Sequence, residues 1–160
     1  MISQHTNEEP KFQVFVSGFS SSIEEWRRAL NAPTSELPEL NPEQKEVVRK
    51  FGITEEEYRR GHLAGVYGQQ RMQRRAIELG KAVEEILDGF AAGYQLKAVI
   101  AEMMKERWVV RIQTPKKIVN VAIDRELGDD VIDSNTIQDQ ERLEELLLSS
   151  LGRNQRIEKR

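Results

Sequence analysis

The sequence predicts an α+β fold, and three observations carry that expectation. The run YQLKAVIAEMMKERWVVRIQTPKKIVNVAI, from Tyr94 to Ile123, reads as three strands joined by two short turns. Helical segments with their own start signals lie on either side of it. A three-stranded meander buries one face only when something covers it, and apolar stripes in those helices supply the cover. The expected architecture is a single α+β domain over residues 11–152. It holds a three- to four-stranded antiparallel sheet, built on the meander 94–123 and covered by helices that include a long central helix and a C-terminal helix. Residues 1–10 are expected to form a disordered N-terminal tail and residues 153–160 a basic C-terminal tail.

In the meander, Trp108, Val110 and Ile112 alternate with Arg107, Val109, Arg111 and Gln113, and Val119, Val121 and Ile123 alternate with Ile118, Asn120 and Ala122. Each run has the period of two expected of a half-buried strand. Pro115 has no N–H for a ladder and suits the turn between the two runs. Near the N-terminus, Phe12, Val14 and Val16 alternate with Lys11, Gln13 and Phe15. This short run is expected to add an edge strand.

Helix signals follow in order. Ser22 with Glu25 three residues on forms a capping box ahead of IEEWRRAL, in which Ile23, Trp26 and Leu30 share one face. Residues 31–40 contain two prolines and no periodicity, the pattern of a linker or surface loop. Asn41 is an N-cap with Pro42 at the first helical position and Gln44 completing a box; that helix should end at Phe51 with Gly52 beyond it. Thr54 and Glu57 cap the next helix, Ile53 and Tyr58 can form a hydrophobic staple, and Glu55, Glu56 and Glu57 occupy the first turn, where the macrodipole favours anions.

The helix starting at Glu55 is the longest, reaching about Asp88. Met72, Ala76, Leu79, Val83, Ile86 and Phe90 lie on one stripe, and Gly61, Gly65 and Gly68 continue it backward. Each interior glycine costs about 1 kcal/mol relative to alanine. Either the helix breaks between Gly61 and Gly68, or the bare seam admits another backbone, from this chain or from a second copy. DRELGDDVIDSN, residues 124–135, reads as an acidic loop. Asn135 with Gln138 is expected to cap a last helix with Leu143, Leu146, Leu147 and Leu151 on one stripe and Gly152 closing it.

Composition narrows the function classes. The chain has 160 residues, 32% charged and 38% hydrophobic, with a formal net charge of −3. That balance gives no global attraction to nucleic acid or anionic membrane. There is no cysteine, which rules out disulfides, thiolate metal sites and a cysteine nucleophile. MISQHTNEEP has neither a basic nor an apolar leader region, so no signal peptide is expected, and no apolar run approaches the roughly 18 residues of a membrane span. The expectation is a cytoplasmic protein without membrane association.

The catalytic inventory is poor. Of the two histidines, His5 lies in the expected tail, and His62 has no second histidine at metal-binding spacing. The acidic residues Asp124, Glu126, Asp129, Asp130 and Asp133 do not follow a calcium-loop pattern. Ser20 to Ser22 lack the glycines of a nucleophile elbow. Gly61, Gly65 and Gly68 match neither a dinucleotide fingerprint nor a P-loop. The expectation is therefore a non-enzymatic protein with no catalytic residue, cofactor or metal.

Two function classes remain. VVRKFGITEEEYRRGHL, residues 47–63, resembles a helix-turn-helix corner, and Arg59, Arg60, Arg71, Arg74 and Arg75 on the following helix offer a nucleic-acid face. Against it, the start of that helix presents Glu55, Glu56 and Glu57, which repel phosphate. The preferred reading is a protein–protein interaction or assembly subunit, self-associating or docking another protein. Its expected interface is the glycine seam Gly61, Gly65, Gly68 and Met72, with Leu148 in the leucine-rich last helix as a further contact.

Overall fold

In the sheet of this α+β chain the strands lie in the order β1 (Gln13–Ser17), β2 (Gln95–Glu102), β3 (Arg107–Gln113) and β4 (Ile118–Asp124). The helices are α1 (Ile23–Asn31), α2 (Pro42–Phe51), α3 (Glu55–Leu87), α4 (Arg125–Asp133) and α5 (Ile137–Leu151). The computed structural model describes residues 10–18 and 21–152. The two expected tails, Pro10 apart, lie outside them. The described residues divide into two compact units: a sheet unit, residues 10–18 with 73–152, and a helical unit, residues 21–72. The long helix α3 begins in the second and ends in the first.

The expected meander is present, and the N-terminal run adds the fourth strand. The sheet departs from the all-antiparallel expectation at one edge, because β1 pairs parallel with β2 while β2–β3 and β3–β4 are antiparallel. The cause is connectivity. A hairpin reverses the chain, whereas the helices α1 to α3 intervene between β1 and β2 and return it in the same direction. Val14, Val99, Val110 and Val121 stand in register across all four strands, and the last three are buried. Trp108, 1% exposed, lies on the same face, and its ring fills the space where a side chain on Gly128 of α4 would be: a Cβ there would sit 2.4 Å from Cδ1. Glycine at this position lets α4 approach the sheet.

Residues 124–135 are therefore not a loop. Arg125 to Asp133 is helical and buries Leu127, Gly128 and Val131. Its acidic side chains do not repel one another into disorder because arginines take them up: Arg75 binds Asp129 and Asp133, and Arg142 binds Asp130. The cap of α5 also shifts by one residue. Thr136, not Asn135, accepts from the N3 amide, and Asp139, not Gln138, completes the capping box. Asn135 instead adopts φ 47°, a left-handed conformation that asparagine tolerates, between the two helices. Leu143, Leu147 and Leu148 of α5 are buried.

In the helical unit the capping boxes of Ser22–Glu25, Asn41–Gln44 and Thr54–Glu57 form as expected. Gly52 takes φ 70° and ends α2. The helix α3 is one helix from Glu55 to Leu87, unbroken at Gly61, Gly65 and Gly68.

Candidate interaction surface

The helical unit has a small core in which three alanines meet three larger side chains: Ala29, Ala32 and Ala64 with Leu37, Leu63 and Tyr67. Alanine on α1 and alanine on α3 leave little side-chain bulk between two helices, so polar contacts secure the rest. Ser21 Oγ donates to Ala64 O at 2.9 Å, and Arg71 Nε donates to a Glu25 carboxylate oxygen at 2.7 Å. The Arg28 guanidinium stands 3.7 Å from the centre of the Tyr67 ring, a cation–π contact. Burial pushes the Glu25 carboxyl up, but the hydrogen bonds from Arg71 and Ser22 outweigh it and hold the group below its ordinary value.

Two arginines close the remaining main-chain groups. Arg60 Nη1 donates to Ala29 O, Leu30 O and Ala32 O at the C-terminal end of α1, where Ala29 O also accepts from Ala32 N. Arg59 donates to Pro38 O and Leu37 O and fixes the proline-containing segment onto α3.

With α1 docked by its alanine side, its apolar stripe faces out. Ile23 is 71% exposed, Trp26 42% and Leu30 57%, while Ala29 is the buried residue of the helix. On α2 only Val48 is buried; Phe51 is 70% exposed, Val47 is also exposed, and so is Ile53 just after the helix. Trp26 rests against Gly61, where a Cβ would lie 3.2 Å from Cη2, and the two line a recess of about 310 Å³ with Glu57, Tyr58 and His62. An ordinary amphipathic helix buries its apolar stripe. Helix α1 does the reverse, with Ala29 inside and Ile23, Trp26 and Leu30 outside.

The residues singled out from the sequence are placed as follows. Gly61 is partly exposed under Trp26, whereas Gly65, Gly68, Met72 and Leu148 are buried within the chain. Four of the five arginines make contacts inside the fold: Arg59 and Arg60 with main-chain carbonyls, Arg71 with Glu25, and Arg75 with Asp129 and Asp133. Arg74 is exposed. His62 is exposed at the recess beside Trp26. Among the described residues no group of three histidines or carboxylates is placed to hold a metal ion, and no helix is long and apolar enough to cross a membrane.

The exposed set Ile23, Trp26 and Leu30 was visible in the sequence as one face of a helix, but nothing there told which face would turn inward. Ala29 flanks that stripe three residues after Trp26, a small side chain that suits close helix approach.

Comparison with protein-family models, with curated proteins and with solved structures finds no match to this chain.

Proposed function

We propose that the protein is a non-enzymatic interaction subunit whose helical unit docks another protein through the apolar face of α1. The supporting observation is the inverted patterning of that helix: Ile23, Trp26 and Leu30 lie outside and Ala29 inside. Ile23 and Leu30 leave more than half of their surface in water and Trp26 two-fifths, apolar area whose burial would contribute about 25 cal/mol per Å², and aromatic anchors of this kind dominate the energetics of protein interfaces. The glycine seam is not the surface in this reading, since Gly65, Gly68 and Met72 are interior positions.

The test is site-specific photo-crosslinking in cells of the source organism. A benzoylphenylalanine at Leu30 is expected to give a discrete adduct that Trp26→Ala abolishes, while the same probe at the exposed Glu43 of α2 gives none. Equal crosslinking at both positions, or an adduct indifferent to Trp26, overturns the reading.

A further inference from the structure

We infer that β4 is a docking edge for a second copy of this chain, pairing antiparallel with its counterpart about a two-fold axis at Asn120. The inference rests on the sheet unit alone and is independent of the α1 surface.

The first support is the direction of the main-chain groups. Thr114 N donates to Lys117 O at 2.8 Å, and Arg125 N donates to Glu106 O at 3.2 Å. These bonds bracket the β3–β4 ladder and fix its parity, because in an antiparallel pair alternate residues exchange main-chain hydrogen bonds. Residues 117, 119, 121, 123 and 125 turn theirs toward β3. Ile118, Asn120 and Ala122 turn theirs away from the sheet, and among the described residues no main-chain partner meets them, while Asp124 ends the strand as the N-cap of α4.

The second support is the absence of the usual defences. Edge strands are kept from pairing by lysine, proline, bulges or short length. The strand β4 runs for seven residues, IVNVAID, with lysine and proline confined to the turn before it (Pro115, Lys116 and Lys117), and its register with β3 is free of bulges. Its outward residues are exposed, Ile118 by 55%. The opposite edge strand, β1, has five residues.

Charge selects the occupant and the register. Side chains facing each other across an antiparallel pair must lie on the same face, so a two-fold axis falls on a residue rather than between two. With the axis at Asn120, Ile118 meets Ala122, Val119 meets Val121, Lys117 meets Ile123, and Lys116, in the turn just before the strand, comes opposite Asp124 at both ends. With the axis at Val121, Lys117 instead faces Arg125 at both ends, a like-charge pair that the first register avoids. The strand carries its own complement, cation at one end and anion at the other, and a two-fold axis brings them together.

The experiment is light scattering after size exclusion on the full chain over a dilution series. A dimer is expected. Asn120→Pro removes an N–H that the β3–β4 ladder does not use and is expected to give a folded monomer, with circular dichroism and thermal midpoint as the check on folding. Lys116→Glu, a change in an exposed turn, is expected to raise the dimer dissociation constant roughly tenfold, and adding Asp124→Lys is expected to restore it. A monomeric wild-type chain at every concentration overturns the inference. So does a dimer indifferent to both Asn120→Pro and Lys116→Glu, including one that only Trp26→Ala disrupts.

Discussion

The ring of Phe12 ends against Gly80: a side chain on that glycine would place its Cβ 2.2 Å from Cζ and 2.4 Å from Cε1. Phe12 is 3% exposed and stands just before β1, so this contact ties the start of the edge strand to the second half of α3. Gly80→Ala gains about 1 kcal/mol of helix propensity but drives a buried ring out of its place, an overpacking cost of about 1–3 kcal/mol. The expected net result is a lower unfolding midpoint. At Gly61 the same substitution meets only Trp26, at 3.2 Å, and that ring is 42% exposed. Gly61→Ala is therefore expected to be neutral or stabilising. Thermal unfolding of the two variants side by side checks both, and a destabilised Gly61→Ala would show that the Trp26 ring is fixed.

Arg75 ties α3 to α4 by donating to Asp129 at 2.8 Å and to Asp133 at 2.9 Å. The hydrogen bond from Arg75 holds the Asp133 carboxyl below its ordinary value. A carboxylate depressed in the folded state stabilises the fold above the ordinary carboxylate range and loses that contribution as pH falls through the folded value. Asp133 is more than half exposed, so solvent screening limits the effect of Arg75→Ala to about 1 kcal/mol near neutrality. Denaturant unfolding of wild type and variant is expected to differ near neutrality and to converge in acid. A constant difference at all pH values would mean that Arg75 acts by packing rather than by charge.

Glu84 behaves in the opposite sense. It lines a cavity of about 650 Å³ with Lys11, Lys81, Asp88 and Tyr94. Burial, and then the neighbouring Asp88, push its carboxyl up, while Lys11 and Lys81 pull it back only in part. With the folded value above the unfolded one, ionisation opposes folding, and the penalty develops as pH rises between the two. Glu84→Gln is expected to raise stability modestly near neutrality and to match wild type in acid, by the same denaturant measurement. A loss of stability near neutrality would show that the two lysines bind the carboxylate strongly enough to reverse its sign.

Much of the local structure was legible because it depends on neighbours in sequence. The boxes Ser22–Glu25, Asn41–Gln44 and Thr54–Glu57, the left-handed Gly52, and the turn at Pro115 all satisfy main-chain groups within a few residues, and each formed where its motif stood. The alternation of Trp108, Val110 and Ile112 likewise marked a strand, since period two is a property of the backbone. The glycines of α3 left two readings open, a break or a bare seam, and the helix is continuous through them.

What the sequence by itself determined, then, was which segments become helix or strand and where most of them begin. Tertiary structure decided the rest, through contacts between residues far apart in the chain. Arg75 and Arg142 made a helix of an acidic stretch that charge alone reads as a loop. The crossover of three helices between β1 and β2 made that pair parallel. Above all, the alanines of α1 and α3 chose close approach, and the larger apolar side chains of α1 were left outside. A helix of nine residues carries both faces in its sequence; which one is buried depends on the shape and hydrogen-bonding groups of the surface it meets.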